Sequence, residues 1–98
     1  MSLPLVFHPD VQPELNDAYR WYEQQRAGLG QDFLTALDEV FARLQQTPEA
    51  HQLIYRDVRR ALPRRFPYGV YYRVHPDRVE VIAVQHSRRD PRQWQSRA

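Results

Sequence analysis

The first apolar run, Leu3 to Phe7, is short and is stopped by His8-Pro9, which predicts a strand. From Val11 the spacing changes. Val11, Leu15, Ala18 and Tyr22 recur at helical intervals with Trp21 beside the stripe, and Glu14, Asp17, Arg20 and Glu23 fill much of the rest. Asp10 stands where a cap belongs, and Pro13 is tolerated in a first turn. Gly28-Leu29-Gly30 interrupts this pattern. Phe33, Leu37, Val40, Phe41 and Leu44 then mark a second amphipathic helix that ends before Pro48. Two such helices joined by a short glycine link predict an antiparallel hairpin.

Beyond Pro48 the period shifts from helical to extended. Pro48 to Tyr55 reads as a loop with a brief extended piece at Leu53–Tyr55. Val58–Phe66 reads as a strand interrupted by Pro63, hence irregular or at an edge. Pro67-Tyr68-Gly69 reads as a turn, Val70–Val74 as a strand, and His75-Pro76-Asp77-Arg78 as the next turn. Val79–Gln85 is nearly all apolar, the pattern of a central strand covered on both faces. Asp90-Pro91 suits an N-cap followed by proline at the first helical position of a short terminal turn or helix carrying Trp94. The expected architecture is α+β: an N-terminal strand, an antiparallel helical hairpin, then a three-stranded antiparallel meander, all in one small, mostly antiparallel sheet.

Composition fits one domain spanning residues 1–98, because 98 residues cannot enclose two cores and 42% hydrophobic content is enough for one. The net charge of +2 conceals an asymmetry. Residues 1–49 carry 3 arginines against 8 acidic residues, whereas residues 50–98 carry 11 against 4. All 14 basic residues are arginine. The absence of cysteine excludes disulfides, thiolate catalysis and Cys-type zinc sites. No apolar run approaches the ~20 residues of a membrane span. The N-terminus has neither a basic leader nor an apolar signal core. The expectation is a soluble, cytoplasmic protein that makes no contact with membrane.

The basic half concentrates the candidate chemistry. In a strand from Val58, alternation would turn Leu62 and Phe66 toward the core and Arg59 and Arg65 to the other side, with Arg60 and Arg64 at the margin or in a bulge. Arg73, Arg88 and Arg89 would approach from neighbouring strands. Several guanidinium forks on one face would seat an RNA backbone or the acidic tail of a protein. The alternative is a set of solvated edge arginines paired with the acidic helices, each exposed pair contributing ~0–1 kcal/mol.

His86 ends the central strand and is a candidate general acid or base, or simply a packing or capping residue. Tyr68, Tyr71 and Tyr72 are suited either to stacking on bases or to forming strand with half-buried rings. Trp21 and Tyr22 read as packing residues. Trp94 reads as an anchor for the tail or an exposed aromatic plane. His8, His51 and His75 have no ligand spacing, so no metal is assigned. Three isolated glycines make no phosphate cradle, so no cofactor is expected.

Four segments taken in order resemble the RelE/ParE toxin superfamily of bacterial type II toxin–antitoxin modules. They are Trp21-Tyr22-Glu23; Gly28-Leu29-Gly30 with Phe33 and Leu37; Arg65-Phe66-Pro67-Tyr68-Gly69-Val70-Tyr71-Tyr72; and Val84 to Pro91. The resemblance covers nearly the whole chain and implies the same strand, helical hairpin and meander. It also implies a toxin held inactive by a cognate antitoxin, an acidic and partly disordered protein with a DNA-binding N-terminus.

Two chemistries divide that superfamily. RelE-type members cut messenger RNA on the ribosome, and ParE-type members poison DNA gyrase. The ribonuclease branch typically has an arginine where Gly69 follows Tyr68, and often a C-terminal tyrosine where Trp94 stands here. The tail His86-x-Arg88-x-Asp90 is similar to that of ParE-type toxins. The expectation is therefore a ParE-like toxin that binds gyrase, with Arg59, Arg60, Arg65, Arg73, His86, Arg88, Arg89 and Trp94 as candidate target- or antitoxin-binding residues. The first alternative is a RelE-type endoribonuclease using Arg65, His86 and Arg88 to stabilise a pentacoordinate phosphate and move a proton. The second is a degenerate toxin that retains only antitoxin binding.

Overall fold

The structure is a computed structural model describing residues 2–98. Strand β1 (Leu5–Phe7) leads into helices α1 (Val11–Gln25) and α2 (Leu29–Gln46). A short 3-10 turn (Pro48–Ala50) precedes β2 (Leu53–Tyr55), β3 (Val58–Ala61), β4 (Tyr68–Val74) and β5 (Val79–His86), and α3 (Arg92–Gln95) closes the chain. The strands form one five-stranded sheet in the order β1-β5-β4-β3-β2. β1 runs parallel to β5, and the other pairs are antiparallel. The expected architecture holds, with one correction: the meander has four strands, because the brief extended piece at Leu53–Tyr55 pairs with β3 as an edge strand.

The sheet separates two apolar layers. On one face lie α1 and α2, with Val11, Phe33, Leu37, Val40 and Leu44 packed against Ala61, Val70, Tyr72, Val79, Val81 and Val84. On the other face Val58, Tyr71, Ile82 and Ala83 meet Trp94, whose indole stacks on Tyr71 at 4.4 Å and 16°. β5 supplies both layers through a bulge. Tyr71 pairs with Ala83 and Tyr72 with Val81, so Ile82 is an extra residue. Ile82 and Ala83 both point to the second face, and the alternation resumes with Val84 and His86 on the helix side. Without that insertion His86 would face away from α1.

Local chemistry fixes the helical hairpin. Gly28 adopts φ +91, a left-handed conformation that side chains disfavour, and is the N-cap of α2. Glu23, near the end of α1, accepts hydrogen bonds from the Gly28 and Gly30 N–H groups at 2.9–3.1 Å. A carboxylate there also complements the α2 dipole. The two helices touch at Gly30, where a Cβ would lie 2.8 Å from the Tyr19 carbonyl oxygen.

Several local expectations are corrected. Asp10 makes no side-chain cap; its own N–H donates to His8 Nδ1 at 3.1 Å. β3 stops at Ala61, and Leu62 is 56% exposed instead of core-facing. Tyr68 and Gly69 belong to β4, not to a turn. The N-cap of α3 is Pro91, although Asp90 Oδ1 still accepts the Arg92 N–H at 3.0 Å.

Candidate functional site

The arginines expected to share one platform are distributed among different jobs. Arg59 lies on the helix side of β3 with Ala61, and its guanidinium donates to the Glu49 and His51 carbonyls at 3.1 and 2.6 Å. It locks the segment after α2 onto the sheet. His51 completes this latch. The Tyr72 hydroxyl donates to the Pro48 carbonyl at 2.6 Å, which leaves His51 Nδ1–H as the donor to the same hydroxyl at 3.1 Å. Burial and the nearby Arg43 and Arg59 push the His51 pKa down, and burial pushes Tyr72 up to about 12.

Arg73 is on the opposite face, only 18% exposed, between Asp57 at 2.9 Å and Glu80 at 3.8 Å. Arg64 and Arg65 clasp α2 through Glu39 at 2.9 Å and Asp32 at 3.8 Å. Arg65 has φ +73, a conformation costing an L residue ~1–2 kcal/mol. Its ion pair and its position over the Phe66 ring at 5.4 Å offset part of that strain. The expectation that Arg59 and Arg65 share an outer face is thus overturned: four carboxylates and two carbonyls of the protein itself occupy Arg59, Arg64, Arg65 and Arg73. Trp94 is the tail anchor, buried against Tyr71.

Three candidate arginines keep exposed guanidinium groups with no ion-pair partner among the described residues: Arg60 on β3, and Arg88 and Arg89 in the turn after β5. Arg89 borders a groove between α1 and the ends of β4 and β5. Its floor holds Ala18 and Val84, and Trp21, Tyr68 and His86 stand around it, with a volume of about 230 Å³. An adjoining hollow of about 420 Å³ shares Trp21, Tyr68, His86 and Arg89 and extends to Tyr22. Trp21, expected to pack, is 56% exposed and meets the Tyr22 ring edge-on at 5.1 Å. The β5 bulge returns His86 to this side, where it pairs with Tyr68 in register, rings 5.3 Å apart and nearly perpendicular.

The groove's polar atoms are mainly donors at this end. The Arg88 N–H donates to His86 Nδ1 at 3.1 Å, so the neutral ring carries its proton on Nε2. In that tautomer Nε2 can donate a hydrogen but cannot accept one. Burial raises the pKa of Tyr68, against the lowering influence of Arg89, and also raises that of Tyr22, so both phenols keep their protons at neutral pH. An arginine of the ribonuclease type has no room at position 69: a Cβ there would lie 2.8 Å from the Tyr71 ring, which is held in its stack with Trp94.

At the other end of the groove, β1 covers the outer edge of β5 only as far as Val81. Past that point side chains satisfy the edge. Glu14 of α1 accepts from the Val84 N–H at 3.0 Å, from Gln85 Nε2 at 2.7 Å and from Arg97 at 3.0 Å, and Arg97 also donates to the Ile82 carbonyl at 3.0 Å. This network joins α1, β5 and the C-terminal segment, and blunts a sheet edge that would otherwise invite pairing. Gln85 is 2% exposed, and its Oε1 has no hydrogen-bond partner among the described residues.

Residues 5–91 match the family model described as the ParE toxin of the type II toxin–antitoxin system parDE. The chain belongs to this ParE toxin family. It is 26% identical over 92 residues to Toxin ParE2 of Mycobacterium tuberculosis strains CDC 1551 / Oshkosh and H37Rv, covering 93% of this chain and 88% of those proteins. Its fold superposes on a chain of the chromosomal ParDE toxin–antitoxin system from P. aeruginosa with a TM-score of 0.76 at 16% identity, covering 87% of this chain and 96% of that one. The span matched to the ParE family includes His86, Arg88 and Arg89, and stops before α3 with Trp94 and before Arg97.

Of the candidates expected from sequence, His86 and Arg89 line the groove and Arg88 lies in the adjoining turn, whereas Trp21 and Glu14, which also line it, were not among them. Trp21 sits beside the apolar stripe of α1, not on it, and that offset was the available signal. Glu14 gave none, since its partner Val84 is 70 residues away.

Proposed function

We propose that this ParE-family chain arrests bacterial growth by binding DNA gyrase and is neutralised by a cognate antitoxin that covers the Arg88–Arg89 turn. The carrying observation is the match of residues 5–91 to the ParE toxin model, a span that includes the groove and that turn. The groove chemistry favours binding over cleavage. His86 presents a donor where a general base needs a lone pair, and Arg65 faces Asp32 in a different cavity from His86. Exposed guanidinium groups suit an acidic protein surface, and an acidic, partly disordered antitoxin can fold over them as it binds.

Purified protein is expected to inhibit gyrase supercoiling in vitro, and coexpressed antitoxin to restore it. Normal supercoiling at saturating protein contradicts the reading. Cleaved transcripts mapped by primer extension after induction would establish the ribonuclease alternative, and unaffected growth on induction without antitoxin would establish the degenerate-toxin alternative.

A further inference from the structure

The groove is chemically polarised along its length. At one end stand Arg89, a donor only, His86, which in its neutral form carries its hydrogen on Nε2, and the Tyr68 phenol, which can donate or accept. At the other end α1 contributes the carboxylates of Glu14 and Asp17. Glu14 is engaged by Arg97, Gln85 and the Val84 N–H, whereas Asp17 is well exposed and, among the described residues, pairs only with the exposed Arg20. Between the ends lie the small apolar floor of Ala18 and Val84 and the open face of Trp21.

We propose that this groove is a peptide-binding site, taking a carboxylate side chain at the Arg89–His86 end, an apolar side chain against Trp21, and a basic side chain toward Asp17. A carboxylate on Arg89 and His86 gains charge-assisted hydrogen bonds in a recess walled by aromatic rings. Trp21 supplies a rigid, exposed aromatic surface of the kind that anchors protein interfaces. A nucleic-acid strand fits the charge pattern less well. Its first phosphate suits Arg89, and its next would approach Asp17, where like charges repel. A segment of mixed charge matches both ends, and the hollow of about 420 Å³ admits a few side chains, not a folded domain.

The proposal rests on the toxin reading only in taking a protein as the occupant, and its test needs neither gyrase nor antitoxin. The purified chain is titrated with the blocked peptide acetyl-Glu-Leu-Ala-Lys-amide while the Trp21 indole N–H and Arg89 Nε–H resonances are followed by NMR. The expected result is saturable shifts at Trp21, Tyr68, His86 and Arg89, with affinity reduced about tenfold (about 1.4 kcal/mol) by replacing the peptide's Glu with Gln or by Arg89→Gln. Trp94, buried on the far side of the sheet, serves as the internal reference and is expected not to move. Shifts that ignore both the Glu-to-Gln peptide and Arg89→Gln overturn the proposal. So does the absence of shifts, or a stronger response to a four-nucleotide oligothymidylate than to the peptide. Loss of gyrase inhibition with peptide binding intact would strike the toxin reading alone.

Discussion

The segment from Arg59 to Arg73 and the turn from His86 to Arg89 are similarly rich in arginine, and they differ in what stands opposite them. In the first, Asp32, Glu39, Asp57, Glu80 and two backbone carbonyls accept the guanidinium groups. In the second, Arg89 borders a groove walled by aromatic rings, Arg88 lies next to it in the turn, and neither meets a carboxylate within ion-pair distance among the described residues. Apart from Arg60, which is exposed and has no ion-pair partner among the described residues, the first group binds this molecule to itself, and the second is available to another. Arginine density along a chain therefore measures capacity for anion binding, and the nearest acceptors in space decide whether that capacity is already used.

The sharpest ways to break this contrast act on the bonded residues. Glu14→Ala leaves the Val84 N–H, the Gln85 amide and Arg97 without their acceptor, and is expected to cost about 3–5 kcal/mol in urea unfolding. A loss below about 1 kcal/mol would mean that the sheet edge needs no plug. Arg97→Ala removes one charge-assisted bond to Glu14 and one to the Ile82 carbonyl; about 2 kcal/mol is expected.

The latch around Arg59 is sharpened by pH. The folded-state pKa of His51 lies below its ordinary value of 6.5, so folding favours the neutral ring. Its contribution to stability is complete above the unfolded value and declines as pH falls from about 7 through 6.5 toward the folded value. His51→Gln should flatten the slope of the urea midpoint in that window, and an unaltered slope would remove His51 from the latch.

Smaller still, Arg64→Gln should change stability by ~0–1 kcal/mol, since its pair with Glu39 is solvent-exposed. Arg88→Gln and Arg89→Gln should change it by less than about 0.5 kcal/mol.

Much of the fold was legible because its period is visible. The stripes Val11–Tyr22 and Phe33–Leu44 place the helices directly, and the apolar, aromatic run Val70–Val74 places most of β4. Val79–Gln85 announced a strand covered on both faces, but not the extra residue at Ile82 that divides it between two cores and turns His86 toward α1. A bulge changes pairing without changing apolar content. The short edge strand Leu53–Tyr55 is set by its partner β3 more than by its own composition. At the candidate site, His86, Arg88 and Arg89 were legible as residue types next to a strand end. The clasps on Arg64 and Arg65 were not, because their acceptors lie on α2, 25 and 33 residues earlier in the chain. The network of Glu14, Val84 and Arg97 was hidden for the same reason.

The most direct measurement compares two double variants, Arg88→Gln/Arg89→Gln and Arg64→Gln/Arg65→Gln, for inhibition of gyrase supercoiling at matched folded concentration, checked by urea midpoints. Inhibition is expected to be lost in the first with its midpoint unchanged, and retained in the second. Full inhibition by the first variant, or its loss only in the second, would contradict the assignment of the turn after β5 as the surface offered to other molecules.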